Sequence, residues 1–452
     1  MQNAALSQLK FRVANIAHTK TVGRVTSVDG HVLSVAGLEI DVKLGDRLRL
    51  ERRDGSVLMG EVLCINRDGV TMLPDDPPDQ VALSDRVVSL GPCRIAPSDE
   101  WIGRIVDPYG APLDNRPLPQ GDRLFNIHND PPAPVTRKAL GPRLNTGFHL
   151  FNTMLPIVRG QRIGIFAGSG VGKSTLLADF VRAIEADVVV LALVGERGRE
   201  IRDFTKNILG DTGMARTVVV AASADSAPTA RMKCPQSAMR IAEYFRDQGR
   251  HVLLLVDSVT RFAEAQREVA VSAGEFPSMR GFPPSTPSKI TRLAERAGPG
   301  CEGTGDITAI FSVLVAGSDM NEPVADMLRG VLDGHIVLDR SLAERGLFPA
   351  VDLLASVSRS LPGAATEPEN KLIAQARSLR STYSEASTLI SAGLYSQGAD
   401  PALDQAIAFH NPFEEFQSTR TDEGARSSFD KLLLCLRRSG QPKKTLPPDS
   451  GL

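Results

Sequence analysis

The stretch Ala167-Gly168-Ser169-Gly170-Val171-Gly172-Lys173-Ser174, followed by Thr175, sets three glycines ahead of one lysine and two hydroxyls. Glycines let successive backbone N–H groups curl round an anion without a Cβ in the way. "QRIGIFA" before the stretch reads as a buried strand. The residues from Lys173 onward read as a helix, whose positive end adds to the cradle. Strand, glycine-rich turn and helix in that order form the context of a phosphate-binding loop. Gly168, Ser169, Gly170, Val171, Gly172, Lys173, Ser174 and Thr175 are thus the candidate nucleotide ligands. Lys173 suits the β- and γ-phosphates, the Ser174 hydroxyl suits Mg²⁺, and Thr175 suits the α-phosphate. Ala167 stands where the strict pattern has Gly, which is tolerable if that residue is still in the strand.

A nucleotide-bound Mg²⁺ needs an acidic partner. "HVLLLVDSVTR" supplies Asp257 at the end of an aliphatic run, acting through a bound water. The bland alternative is a helix N-cap. "LVGERGRE" ends a second aliphatic run with Glu196, a carboxylate suited to polarising an attacking water. Arg197 beside it can steady phosphate charge. Its alternative is a charged surface run. In a parallel sheet these strand ends converge on one edge, where ligands bind.

The elements that must position these groups follow from the pattern. "QRIGIFA", "DVVVLALVG", "ARTVVVAA", "HVLLLVD" and "TAIFSVLVA" are aliphatic runs without alternation, as in strands buried on both faces. Helical stretches such as "PQSAMRIAEYFRDQG" lie between them, so a parallel α/β sheet is expected. From Thr21 to Leu90 the residues alternate, with Asp29-Gly30, Asp54-Gly55 and Asp68-Gly69 as hairpin turns. This reads as a small β-barrel. The Pro/Gly-dense segment from Cys93 to Pro134 reads as a connector, and the stretch after Glu367 as helical. The expected organisation is an N-terminal helix at 1–20, a barrel at 21–92 and a nucleotide-binding domain at 93–365. A helical domain at 366–438 and a disordered tail at 439–452 complete it.

Bulk properties exclude several classes. The 452 residues carry a formal charge of -1, so nothing global suggests nucleic acid. The five cysteines form no C-x-x-C pair, which fits neither a zinc site nor a disulfide framework and suits a reducing cytoplasm. The longest aliphatic run, Val188 to Val194, is far short of a membrane span of about 20 residues. Membrane association is therefore expected only through partners. Leu6, Leu9, Val13 and Ile16 form a near-helical apolar stripe, either a docking face or a frayed end packed on its own domain.

"GQRIGIFAGSGVGKS", "VGERGREIRDF", "LLLVDSVTRFAEAQRE", "GFPPS", "DMNEPVAD", "LDGHIVLDR" and "LFPAVDLLASVSR" resemble the flagellar and type III secretion ATPases, relatives of the catalytic β subunit of rotary ATP synthases. The resemblance spans about residues 20 to 420. It implies a RecA-like P-loop core with an N-terminal barrel and a C-terminal helical domain. It further implies ATP and Mg²⁺ as ligands and a homohexameric ring with nucleotide sites between neighbours. By motif, Lys173 is the loop lysine, Glu196 the catalytic carboxylate and Asp257 the Mg²⁺-linked aspartate. Arg197 and Arg261 match the phosphate-side arginines, and Arg359 the arginine finger that enters the adjacent subunit. Phe348 stands where relatives usually have a Tyr stacked on adenine, and the ring alone can stack. Tyr395, Phe413 and Phe416 remain alternatives for the second adenine-pocket aromatic.

The implied partners are a stator-like regulator dimer at the N-terminus, a central stalk in the ring pore, and the export gate, chaperones and cargo. The location is the cytoplasmic face of an export apparatus. Ala316 and Ser318 replace residues that tend to be acidic in relatives. Pro235 sits at an expected helix start that is usually proline-free. The motif wording favours an export ATPase over a rotary synthase subunit, and Glu196 argues against a non-catalytic nucleotide-binding subunit. "AGLYSQGADPALDQAI" leans toward the flagellar system, with a virulence injectisome as the alternative.

Overall fold

The computed structural model describes residues 20–278, 281–315 and 320–440. The stripe Leu6, Leu9, Val13, Ile16, the positions Ala316 and Ser318, and the tail from 441 lie outside the described residues. The chain divides into two compact units. One holds the described residues up to Leu140 with Gly160–Phe166 and Ala186–Leu332. The other holds Gly141–Arg159, Ala167–Glu185 and the described residues from Asp333.

The first unit begins with six strands, β1 (Val22–Asp29), β2 (Val32–Ala36), β3 (Arg47–Glu51), β4 (Val57–Asn66), β5 (Gly69–Pro74) and β6 (Arg86–Gly91), closed into a barrel in the order β1-β2-β5-β4-β3-β6. Gly30, Gly55 and Gly69 have φ of 56°, 84° and 152°, the positive values these turns require. Leu33, Val35, Leu48, Leu50, Val62 and Met72 point inward and are buried, as alternation demands.

Two short pieces, β7 (Arg94–Ile95) and β9 (Phe125–Asn126), pair with each other, while β8 (Ile105–Val106) joins the main sheet beside β12. The proline-rich connector is thus part of the core. Trp101 is fully buried with its indole N–H donating to Pro119 O at 2.8 Å, and Ile95, Val106, Leu118 and Ile127 pack beside it.

The sheet of the first unit contains β10 (Arg162–Ala167), β11 (Val188–Glu196), β12 (Thr217–Ser223), β13 (His251–Asp257), β14 (Gly298–Pro299) and β15 (Asp306–Leu314). Its order is β10-β15-β13-β11-β12-β8. β8, β12, β11, β13 and β15 are mutually parallel. β14 lies antiparallel on the start of β15, where Asp306 faces His251 on one flank and Pro299 on the other. β10 takes the β14 flank further along, with Ala309 N–H donating to Gln161 O at 2.9 Å. It can only run toward Leu314, parallel to the rest. The strands are aliphatic throughout because both faces are covered: Val188–Leu193, Val218–Val220 and Val252–Val256 are all buried.

The helix on this sheet spans Pro228–Asp247, seven residues longer at its start than expected. Pro228, at its first turn, is where a helix accepts proline without losing a bond. Pro235, expected at the start, is instead in the interior, where it removes one helical hydrogen bond.

In the second unit the helix Lys173–Ala183 follows the glycine-rich loop, and β16 (Gly334–Leu338) pairs antiparallel with β17 (Val351–Ser358). Three long helices, Glu367–Ser391, Pro401–Ser418 and Ala425–Ser439, follow β17. Asp400 caps the second of these by accepting from Ala402 N and Leu403 N. The Thr366/Glu369 pair forms a capping box on the first.

Candidate functional site

The second unit takes up the chain at Ala167, the last residue of β10, and continues into the turn Gly168–Gly172. Val171 is 2% exposed and anchors the loop, while Ser169 and Gly170 lie at the surface. Gly170 has φ 79°, and a Cβ there would meet nothing within 4 Å. Only its backbone conformation calls for glycine. Gly172 has φ 87° and caps the helix that starts at Lys173. As a glycine, Gly172 offers no side-chain cap, and a helix N-terminus of this kind is a place where anions bind. Lys173 is 9% exposed, Ser174 half-buried and Thr175 exposed.

Phe348 belongs to the same unit and is 50% exposed. A Cβ on Gly172 would fall 3.1 Å from its ring. An exposed aromatic face beside a phosphate loop suits a base. Phe413 and Phe416 do not share this setting. They are 0% and 4% exposed and pack with Phe409 and His149 in the helical core. The Tyr395 hydroxyl is committed to Asp404 Oδ1 at 2.9 Å and Asp400 O at 3.0 Å, pinning the turn before Pro401–Ser418. Arg359 follows the last residue of β17, is exposed, and donates its N–H to Asp333 O at 2.9 Å.

In the first unit, Glu196 and Asp257 stand at the carboxyl ends of β11 and β13, on one edge of the parallel sheet. The register slips between Val194 and Glu196, and Gly195 has φ 69°. Such a bulge re-aims the next side chain. A Cβ on Gly195 would lie 3.2 Å from the Arg261 side chain. Arg261 donates to Glu264 Oε2 at 2.8 Å. That bond, with the fields of Glu264 and Glu196, raises its guanidinium pKa. Arg197 is 69% exposed in its side chain and donates to Glu200 Oε1 at 3.2 Å.

Asp257 is 3% exposed. Its Oδ1 accepts from Ser312 Oγ at 2.6 Å, across neighbouring strands. Ser312 is fully buried within the aliphatic run of β15, which is why pattern reading passed over it. A lone serine in "TAIFSVLVA" was the available signal. The set of hydroxyl and carboxylate oxygens fits a hard cation such as Mg²⁺, which is usually held by one or two carboxylates with substrate phosphates and water.

Fold and residues together define a P-loop nucleotide-binding protein of the α/β class. Residues 147–358 match the "ATP synthase alpha/beta family, nucleotide-binding domain", and residues 365–436 match the "T3SS EscN ATPase C-terminal domain". The flagellum-specific ATP synthase of Agrobacterium fabrum is 43% identical over 96% of this chain and 91% of its own. The type 3 secretion system ATPase of Xanthomonas euvesicatoria is 39% identical over 92% of this chain and 93% of its own. The assembled ATPase EscN of enteropathogenic E. coli superposes with a TM-score of 0.85 at 35% identity, covering 92% of this chain and 100% of EscN. EscN in complex with its central stalk EscO gives a TM-score of 0.83 at 34% identity, with the same coverage. The chain belongs to the family of flagellar and type III secretion ATPases. It is an ATPase with a P-loop core, an N-terminal barrel and C-terminal helices. Among its described residues no helix is long and apolar enough to cross a membrane.

Proposed function

We propose that the chain hydrolyses ATP as a homohexamer to energise protein export through a flagellar type III apparatus. The observation that carries the reading is the glycine loop with Phe348 against Gly172, an arrangement that suits a base next to its phosphates. The 43% identity to a flagellum-specific relative over 96% of the chain supports the flagellar arm. The likeness to EscN keeps an injectisome as the second reading.

In this reading the backbone of Gly168–Gly172 and the Lys173 ammonium hold the β- and γ-phosphates. Ser169 and Val171 contribute main-chain N–H groups, and Thr175 reaches the α-phosphate. Ser174 and Asp257, the latter through water, hold Mg²⁺. When bound, the metal would offset the charge that develops on the phosphates. Glu196 orients water against the γ-phosphate. Arg261 and Arg197 neutralise phosphate charge, and Arg359 serves the neighbouring subunit. Phe348 stacks on adenine.

A central stalk in the ring pore is proposed by likeness to the EscN–EscO complex. A regulator dimer at the N-terminus, the export gate, chaperones and cargo are further proposed partners, with the ring at the cytoplasmic face of the export machinery. Two measurements test the reading. Lys173→Ala in purified protein should abolish Mg-dependent phosphate release, and activity near wild type overturns the site. In cells, Lys173→Ala should abolish flagellar filaments. Intact filaments with failed effector secretion would move the assignment to an injectisome.

A further inference from the structure

The first unit holds a cavity of about 420 Å³ between barrel and sheet domain. That volume falls in the range of small-molecule sites, roughly 300–1,000 Å³. None of the loop and strand-end residues described above lines it. The barrel contributes Glu61 from β4. Helix Pro228–Asp247 contributes Gln236, and helix Val259–Ser272 contributes Gln266. Lys289 and Arg292 come from helix Ser285–Glu295, and Arg296 caps it. The spacing of three and four puts these cations on one helical face.

Two features of this wall are incomplete. Gln236 is 8% exposed, and its Oε1 has no hydrogen-bond partner among the described residues. A buried amide oxygen without a donor is costly, so a donor belongs there. Lys289 donates to Gln266 Oε1 at 2.8 Å, a neutral group. Burial pushes its ammonium pKa down, and Glu61 and Glu275 do not offset this.

The nearby carboxylates are engaged elsewhere. Glu61 pairs with the fully buried Lys233 at 2.8 Å. Glu275 accepts from Ser285 N at 2.8 Å and Ser285 Oγ at 2.7 Å. Glu243 accepts from Arg296 Nε at 2.7 Å and Nη2 at 3.0 Å. Arg292 pairs with exposed Asp130. Lys289 is therefore the cation whose charge the wall leaves least balanced.

We propose that this cavity is a binding site for a small anion bearing a carboxylate or phosphate group, with its charge against Lys289 and a hydroxyl hydrogen donated to Gln236 Oε1. Binding would bridge barrel and sheet domain within one unit.

Calorimetric titration of the full chain tests this, with the nucleotide loop first saturated by ADP. The probes are inorganic phosphate and citrate. At least one should bind more tightly than about 10 mM. Lys289→Met should weaken that binding at least about tenfold, and Gln236→Leu should weaken it measurably. Lys371→Met, at an exposed helix position, should leave it unchanged. Which probe binds identifies the recognised group. Binding of neither probe, or equal binding by wild type and Lys289→Met, overturns the site. If circular dichroism shows that Lys289→Met is unfolded, unchanged affinity in Gln236→Leu overturns it instead.

Discussion

The ring of Phe348 lies against Gly172, with a hypothetical Cβ 3.1 Å from Cδ1 and 3.2 Å from Cε1. The loop glycine and the aromatic are closely placed: Gly172 holds φ 87°, and a side chain there would press on the ring edge. Gly172→Ala adds a strained left-handed residue, at about 1–2 kcal/mol, and pushes on the ring. It should weaken ATP binding in a fluorescent-nucleotide titration. Phe348→Ala should cost about 1–3 kcal/mol of ATP affinity through lost stacking. It should leave inorganic triphosphate affinity unchanged, while Phe348→Tyr keeps both. Equal losses for ATP and triphosphate would mean that the ring supports the loop and not the base.

Ser312 positions Asp257. Its hydroxyl hydrogen bond at 2.6 Å is to a carboxylate that is 3% exposed, in the class worth about 1.5–3 kcal/mol. Ser312→Ala should raise the Mg²⁺ concentration for half-maximal hydrolysis several-fold and leave Mg-free nucleotide binding intact. Ser312→Thr should largely restore wild-type behaviour. A Mg²⁺ dependence identical to wild type in Ser312→Ala would show that the bond has no part in holding the metal.

His149 gives the second unit a pH dependence. It is 5% exposed, stacks on Phe416 at 5.4 Å between centroids, and its Nδ1 lies 3.0 Å from Ser428 Oγ. Burial, helped by Lys431 and opposed by Glu423, lowers its pKa. Below the unfolded value of about 6.5 the unfolded chain takes up a proton that the folded chain refuses. Stability therefore falls with pH from about 6.5 downward, by at most about 1.4 kcal/mol per pH unit for one proton. Amide-exchange protection in Pro401–Ser418 should drop between pH 7 and 5.5, and less so in His149→Gln. Equal drops in both proteins would place the titrating group elsewhere.

What was legible in the sequence was whatever a short pattern dictates. Aliphatic runs without alternation gave five strands of a parallel sheet, and Asp-Gly turns gave three barrel hairpins. Glu196 and Asp257 were placed by strand ends, since parallel strands leave no other edge for them. Non-local packing was not legible. Nothing in "NPFEEF" says that the helix turns the rings of Phe413 and Phe416 into a core with Phe409. Trp101 and Ile105–Val106 looked like connector, because proline masks a two-residue strand that only its neighbour β12 defines. Pro235 looked like a helix start because interior proline is disfavoured locally, and tertiary burial of the helix overrode that preference.

Arg359 offers the sharpest test of assembly. It leaves the end of β17 exposed, its backbone fixed by the bond from its N–H to Asp333 O. Gly334 beside it has no room for a side chain, since a Cβ would lie 2.6 Å from Val357 O. The exit of the strand is therefore set by close backbone packing. A planar guanidinium on such a support can stabilise charge on transferring phosphoryl oxygens, an effect worth about 10³–10⁵ in rate in other phosphoryl-transfer enzymes. Lysine lacks the fork and should not replace it. Arg359→Ala should bind ATP and turn it over very slowly, as should Glu196→Gln. Rings assembled from a mixture of the two contain some interfaces with Glu196 from one chain and Arg359 from the next. Those interfaces are complete, so activity should partly return as the two proteins are mixed. Co-assembly verified by crosslinking, with no return of hydrolysis at any ratio, would mean that both residues act on the nucleotide of their own chain.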